Sequence, residues 1–228
     1  MTAAPSALPD QFDAVCQGIP PTVTLVAVTK FLPAETIRAA YERGLRHFGE
    51  SRVQEAIAKQ AELSDLPDIT WHLIGALQSN KARKAVEHFD WIHSVDSLKL
   101  AQRLDTIAAE TDRVPQCCLQ VKLVPDPPKS GLDLAELDDL LPELDQLAHL
   151  KIRGLMAIPP QGASAATVRD VFFGARGLGD RINQQGFDRL HIDQLSLGMS
   201  GDYPVAIACG ATMVRLGTVL FGPRPSAT

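Results

Sequence analysis

Apolar runs and amphipathic stretches alternate along the chain from residue 22 onward. The first run, at residues 22–30, is rich in β-branched side chains, ends on Lys30 and precedes Pro33 and a stretch with apolar residues at helical spacing. Unbroken apolar runs bounded by turn residues are typical of strands that are buried on both faces of a parallel sheet. The pattern predicts eight strands, at residues 22–30, 45–49, 69–75, 89–95, 115–124, 150–158, 194–197 and 212–216.

A helical pattern follows each of these strands. Helices are predicted at residues 33–43, 52–63, 78–88, 97–110, 134–147, 167–185 and 203–208, with a break or bend at Pro142 and a short segment after strand eight. Eight such repeats predict an α/β protein of the (β/α)8 TIM-barrel type, built as a single domain over residues 1–228, of which residues 1–20 hold a short N-terminal helix. The alternative, a doubly wound open sheet, usually has fewer strands and a glycine-rich loop after the first, where this chain has Thr29, Lys30 and Phe31.

The composition narrows the possible functions. The chain has 228 residues, 45% of them hydrophobic, and a formal net charge of −5. It lacks the basic face of a nucleic-acid-binding protein, a signal peptide and an apolar run long enough to span a membrane, so we expect a cytoplasmic protein. Four cysteines show no metal-binding spacing, and adjacent Cys117 and Cys118 would point to opposite faces of a strand, which favours buried, reduced thiols and no metal site.

Candidate chemistry lies at the predicted C-terminal ends of strands one, seven and eight, the edge where barrels place their active sites. A partly desolvated Lys30 amine would be a nucleophile, although on this stretch alone a strand cap pointing to solvent is the more frequent interpretation. The loops at residues 195–202 and 215–218 offer glycines and hydroxyls that suit an anion, although ordinary turns use the same residues. Because strand eight closes against strand one, a ligand with an aldehyde at one end and a phosphate at the other would bridge these groups. Pyridoxal 5′-phosphate (PLP) is such a ligand, and Lys30 would form a Schiff base with it.

The sequence also resembles the YggS/PROSC family, the pyridoxal phosphate homeostasis proteins, from about residue 25 to 224. The segments that carry the resemblance are VAVTK (26–30), FGE (48–50), VQE (53–55), WHLIG (71–75), LQSNK (77–81), SVD (94–96), KSG (129–131), RGLM (153–156), LGMSGD (197–202), VRLGT (214–218) and FGPR (221–224). The resemblance implies a single-domain barrel of the alanine racemase type, which is fold type III among PLP proteins. It further implies Lys30 as the Schiff-base lysine, Arg215 facing the pyridine nitrogen, and a phosphate site formed by Ser200, Gly217 and Thr218, with Met199 and Gly201 flanking Ser200.

Three places depart from the family pattern. Ser51 and Arg52 stand where the family usually has Asn-Tyr, which puts the cofactor contacts there in doubt and leaves Arg52 as an alternative anion contact. Lys122 follows Val121 where the family favours asparagine, and Ala76 replaces a more usual proline.

Two functions are compatible with this site. The first is a protein that holds PLP for intracellular PLP homeostasis, with little or no turnover and no catalytic residue. Its expected partners are PLP-dependent apoenzymes. The second is a PLP-dependent amino-acid racemase, which needs a base on each face of the substrate. In the racemases that this barrel resembles, the second base is a tyrosine from a separate C-terminal domain. The sequence ends four residues after Arg224, so we expect no such domain. We therefore expect a monomer that is not an enzyme. Tyr203 is the one tyrosine expected near the site.

A third interpretation is a barrel hydrolase or aldolase that uses Lys30 together with a carboxylate. Glu50, after strand two, is its main candidate. The two anion loops favour a bound cofactor over this interpretation. His72, between Trp71 and Leu73, is interpreted as a histidine satisfied inside the barrel, in preference to a group at the cofactor mouth.

Overall fold

The computed structural model describes residues 8–125 and 130–223, so the predictions for residues 1–7, Lys129 and Arg224 lie outside the described residues. Eight parallel strands form a closed barrel in which each strand pairs with the next along the chain and the eighth pairs with the first. The strands are β1 (Thr24–Val28), β2 (His47–Glu50), β3 (Thr70–Leu73), β4 (Trp91–Val95), β5 (Gln116–Lys122), β6 (Lys151–Met156), β7 (Gln194–Ser196) and β8 (Met213–Leu216). The predicted (β/α)8 barrel is confirmed.

One helix precedes β1, and a helix follows each strand of the barrel. The helices are α1 (Phe12–Gln17), α2 (Ala34–Glu42), α3 (Val53–Glu62), α4 (Ala82–His88), α5 (Leu98–Thr111), α6 (Leu134–Asp145), α7 (Ala165–Gln184), α8 (Tyr203–Ala208) and α9 (Thr218–Phe221). Serine hydroxyls cap two of them, since Ser97 accepts the Leu100 N–H at 3.3 Å and Ser164 accepts the Thr167 N–H at 3.1 Å. Within the described ranges, no helix combines the length and the apolar character that crossing a bilayer requires.

The structure corrects the sequence prediction at several element ends. The paired residues of β1 end at Val28, so Lys30 lies in the turn beyond the strand and not at its last position. The helix predicted from residue 78 starts with a 3-10 turn, Ser79–Lys81, before α4. A two-residue strand, Leu132–Asp133, pairs with the end of β5 outside the closed ring.

Pro142 does not break helix α6, which continues through it to Asp145. The proline removes one backbone hydrogen bond. The buried face of the helix, with Leu137, Leu141 and Leu144, continues on both sides of the proline. This packing against the core stabilises the helix more than the missing bond weakens it.

Strand side chains alternate between two cores, because successive residues of a strand face opposite sides of the sheet. The larger core lies between the barrel and the helices and includes Phe48, Ile92 and Cys117. The smaller core fills the barrel and consists of Val26, Trp91, Cys118, Met156 and Met213. The prediction that Cys117 and Cys118 face opposite sides is therefore confirmed. Four buried polar side chains share the barrel interior, namely His72, His93, Ser196 and Arg215.

Candidate functional site

A cavity of about 290 Å³ lies at the C-terminal ends of β1, β7 and β8. Its apolar walls are Val28, Ile74 and Ile158. The seven site residues predicted from the sequence all line it, namely Lys30, Met199, Ser200, Gly201, Arg215, Gly217 and Thr218. The volume is close to the lower end of the range for small-molecule sites. The structure thus brings the predicted residues together, while their contact with a cofactor stays a prediction.

Lys30 lies two residues beyond the last residue of β1 and is half-buried in the cavity wall. The next residue, Phe31, has a positive φ of 65°, which is uncommon outside glycine. Its exposed ring lies 5.2 Å from the guanidinium carbon of Arg52. A strand cap pointing to solvent does not describe Lys30, because the residue is half-buried and contributes to the cavity.

Arg215 is a buried cation inside the barrel. Its Nη1 donates to the Ser196 carbonyl at 2.5 Å and to the Ser196 hydroxyl at 2.7 Å, and its Nη2 lies 3.4 Å from the Ala157 carbonyl oxygen. Burial lowers the pKa of Arg215 to about 10, so the guanidinium keeps its charge at neutral pH. It forms no salt bridge with any residue that the structure describes. The cavity therefore contains a fixed positive charge.

Ser200 ties the two predicted anion loops together. Its hydroxyl oxygen accepts the N–H groups of Gly217 and Val219, each at 3.3 Å, so the loop after β7 rests on the loop after β8. In the first loop, the Met199 N–H donates to the Asp202 carboxylate at 2.6 Å. These contacts hold hydroxyls and glycine backbone at one end of the cavity, an arrangement that suits a phosphate or another small anion.

Gly198 is required by the loop after β7, and its replacement by alanine should destabilise the protein. Its φ is +80°, and an added Cβ would lie 2.6 Å from the Ala206 Cβ and 3.0 Å from the Tyr203 Cα. Left-handed backbone strain and overpacking together predict a loss of about 2–4 kcal/mol in the free energy of unfolding, measured by urea denaturation.

Gly177→Ala is the matched control for Gly198→Ala. Gly177 is exposed on α7, and an added Cβ would meet nothing within 4 Å. We expect this variant to gain about 0.5–1 kcal/mol, because alanine is the better helix residue. Equal stability changes in the two variants would contradict the role given to Gly198.

Glu50 is not part of the cavity. Its Oε1 accepts hydrogen bonds from the Thr29 hydroxyl and from the ammonium of Lys59 on α3, both at 2.7 Å. Burial raises the pKa of Glu50, and Lys59 and Thr29 offset part of that rise. Because the carboxylate belongs to this network between barrel and helix, the hydrolase or aldolase interpretation loses its main acid–base candidate.

The family departures also lie outside the cavity lining. Arg52 is exposed, pairs with Glu55 at 2.8 Å and, with Ser51, lines a neighbouring cavity at the ends of β2 and β3. Ala76 lines the same neighbouring cavity. Lys122 forms a salt bridge with Asp133 at 2.9 Å. None of these residues is therefore among those found to line the cavity with Lys30.

The interpretation of His72 as a satisfied interior histidine is confirmed. Its ring is fully buried, bonds to His47 and His93 at 3.0 and 2.9 Å, and stacks on Trp91 with 7° between the planes. The sequence pattern did not reveal His93 or Ser196 as members of the network around Arg215. The available signal was weak, because an inward position on a predicted strand does not reveal its partner on another strand.

Known proteins are similar to this chain over most of its length. The family model of the alanine racemase N-terminal domain matches residues 5–225. The pyridoxal phosphate homeostasis protein of Synechocystis is 52% identical over 216 residues, covering 95% of this chain and 98% of the relative. The pyridoxal phosphate homeostasis protein of Escherichia coli K12 is 42% identical over 216 residues, covering 92% and 89% respectively.

Two solved structures have the same fold as this chain but differ in their sequence identity to it. PipY of Synechococcus elongatus, solved with PLP bound, has a TM-score of 0.89 and 57% identity and covers 93% of this chain and 99% of its own. An alanine racemase of Clostridium difficile in complex with cycloserine has a TM-score of 0.76 and 14% identity, covering 94% of this chain and 58% of the racemase. The racemase shares the barrel architecture alone, whereas PipY is similar in both sequence and fold.

Proposed function

We propose, from the premise that this chain belongs to the pyridoxal phosphate homeostasis protein family, that it binds PLP and takes part in PLP homeostasis. Membership of the family rests on the 52% and 42% identities to relatives of that name. The match of residues 5–225 to the alanine racemase N-terminal domain model agrees with it. One observation carries the proposed site. A single cavity combines an amine, a buried guanidinium and an end whose hydroxyls and glycines suit an anion.

The cavity lining offers a partner for each polar part of PLP. Lys30 supplies the amine for the aldehyde: its Nζ adds to the aldehyde carbon, and loss of water leaves a C=N bond, the Schiff base. Ser200 and Thr218 supply hydroxyls, and Gly201 and Gly217, which lack a Cβ, leave room for a phosphate to approach the backbone. Arg215 supplies donors for the pyridine nitrogen, and the apolar walls suit the faces of the ring.

Arg215 also favours a protein with little turnover. When bound, PLP supplies an electron sink that is strongest when its pyridine nitrogen is protonated. A guanidinium that is charged at neutral pH disfavours a second positive charge beside it. We therefore propose that Arg215 keeps the cofactor in a form that suits retention better than carbanion chemistry.

The tyrosines give the argument against a racemase in particular, because Arg215 does not distinguish the two functions. The hydroxyl of Tyr41 donates to the Asp68 carboxylate, and Tyr203 packs against the core from α8, so neither is among the residues found to line the cavity. A racemase would need a base opposite Lys30. We propose a PLP-holding protein without that second base. The monomeric state, the cytoplasmic location and delivery to PLP-dependent apoenzymes stay predictions.

The test of this proposal is a titration of the wild-type protein with PLP, followed by visible absorption. We expect one PLP per chain, a band at longer wavelength than that of the PLP aldehyde, and fixation of the label on a single lysine by borohydride. A band that borohydride cannot fix, or no band, would refute the proposed site. Racemisation of a panel of L-amino acids, followed by chiral chromatography, separates the two functions, since clear turnover would favour the racemase.

A further inference from the structure

A continuous hydrogen-bond chain crosses the barrel interior behind Arg215. The guanidinium Nη1 lies 2.7 Å from the Ser196 Oγ, which lies 2.8 Å from Nδ1 of His93. Nε2 of His93 lies 2.9 Å from Nδ1 of His72, and Nε2 of His72 lies 3.0 Å from Nδ1 of His47. Ser196, His93 and His72 are buried, whereas His47 is half-buried at the first position of β2. This hydrogen-bond chain thus links Arg215, a cation that lines the cavity, to the opposite end of the barrel.

Arg215 determines the direction of this chain, because a guanidinium can only donate. Ser196 Oγ accepts the Nη1 hydrogen, and its own buried hydrogen needs an acceptor. Among the described residues, Nδ1 of His93 is the acceptor within reach. His93 therefore carries its hydrogen on Nε2 and donates to His72. By the same logic, His72 carries its hydrogen on Nε2 and donates to His47.

The opposite direction fails at Ser196. If Nδ1 of His93 donated to Oγ, the serine oxygen would accept two hydrogen bonds and its own buried hydrogen would have no acceptor in the described structure. Burial lowers the pKa of His93 to about 3 and holds the pKa of His72 well below its ordinary value, so both rings are neutral at pH 7. A neutral ring has one donor and one acceptor, as this direction requires.

We infer that Ser196 and His93, supported by His72 and His47, are positioning residues for Arg215. Ser196 holds both Nη1 hydrogens, one on Oγ and one on its carbonyl oxygen. Among the described residues, no protein acceptor is found for Nε or for the second Nη2 hydrogen, so these donors can serve a ligand. Ser196, His93 and His72 are neutral, so they orient the guanidinium without forming a salt bridge to it. Burial lowers the pKa of Arg215, and the Asp202 carboxylate raises it through space and offsets a small part of the effect of burial. The consequence for PLP rests on the proposed function, whereas the hydrogen-bond directions do not.

¹⁵N NMR of the ligand-free protein at pH 7 tests which nitrogen of each histidine carries the hydrogen, and so the direction of each hydrogen bond. Long-range ¹H–¹⁵N correlation distinguishes the two neutral tautomers of histidine and the imidazolium, and single His→Gln variants assign the signals. We expect the Nε2–H tautomer for His93 and His72, and an acceptor Nδ1 in His47. Exposed His191 serves as the solvent-averaged reference. An Nδ1–H tautomer or an imidazolium at His93 would overturn the inference.

The variant Ser196→Ala tests the effect on Arg215. We expect His93 to lose its fixed tautomer and PLP to bind about tenfold more weakly, since a hydrogen bond to a charged group is lost. Ser94→Ala is the matched control, because Ser94 is equally buried but does not belong to the hydrogen-bond chain. Its hydroxyl donates to the Gly75 carbonyl at 2.7 Å. This control should leave the His93 tautomer unchanged and PLP affinity within about twofold. Ser196→Thr, which keeps the hydroxyl, should restore the tautomer.

These readouts separate the two proposals. Unchanged His93 signals and unchanged PLP affinity in Ser196→Ala would refute the positioning role. Expected tautomers in a wild-type protein that does not bind PLP would refute the proposed function and leave the hydrogen-bond chain standing. Circular dichroism of each variant confirms that a loss of affinity reflects the site and not unfolding.

Discussion

Replacing Lys30 with alanine is expected to abolish the visible band that PLP gives on the wild-type protein, together with its fixation by borohydride. Among the described residues, Lys30 is the lysine that lines the cavity, and alanine cannot form the C=N bond. The contacts of Arg215 and of the phosphate end remain, so residual binding should be weak and reversible. We expect affinity to fall by a factor on the order of 100, which is about 2.8 kcal/mol. Absorption and fluorescence titrations with PLP measure both effects.

Lys81→Ala is the matched control for this experiment. Lys81 lies in the 3-10 turn after β3, lines the neighbouring cavity and is half-buried, like Lys30. It should give the wild-type band and affinity. An unchanged band in Lys30→Ala would show that another lysine carries PLP. Loss of the band in Lys81→Ala would move the site to the neighbouring cavity, at the ends of β2 and β3.

Replacing Lys59 with methionine is expected to cost about 3–5 kcal/mol of unfolding free energy at pH 7, because the fully buried Glu50 carboxylate loses its cation. The Lys59 ammonium also donates to the Thr29 carbonyl at 2.9 Å. This network therefore holds the residue next to Lys30 from outside the barrel. Urea denaturation measures the loss, and PLP affinity measured on the folded variant shows whether the turn at Lys30 has moved.

The loss in Lys59→Met should depend on pH in a defined direction. Burial already raises the pKa of Glu50 in the folded state, and removal of Lys59 raises that pKa further. Between the unfolded and the folded pKa the native state binds the extra proton, so stability falls as pH rises through that interval. The interval extends further upward in the variant. The difference from wild type should therefore be smaller at pH 5 than at pH 7.

Two controls make this result specific. Lys122→Met removes a lysine from a pair of similar length, 2.9 Å, whose partner Asp133 is exposed, so it should cost at most about 1 kcal/mol. The double variant Glu50→Gln/Lys59→Met removes the buried charge and should recover part of the loss and its pH dependence. A pH-independent loss in Lys59→Met, or equal losses in Lys59→Met and Lys122→Met, would show that Glu50 is not the cause.

Local sequence patterns determined the architecture and the position of the site. Runs of apolar, β-branched residues between turn signals predicted eight strands, and the structure has eight strands in the closed ring. The ends of strands one, seven and eight predicted where Lys30, Ser200 and Arg215 would meet, because closure of a parallel barrel makes these strands neighbours. The family resemblance then gave these residues their roles. Element ends were less well predicted, as at Lys30 and Pro142, because local propensity does not include packing.

Tertiary structure alone decided how the buried polar residues are paired. The contact between His93 and Ser196 joins residues 103 positions apart, and that between Arg215 and the Ala157 carbonyl joins residues 58 apart. Glu50 was the main acid–base candidate of the hydrolase or aldolase interpretation, but it occupies the same outward face of β2 as Phe48 and pairs there with Lys59 on α3. Side-chain alternation along a strand tells which face a residue occupies. Its partner on that face depends on register and on the closure of the barrel, which no local stretch of sequence contains.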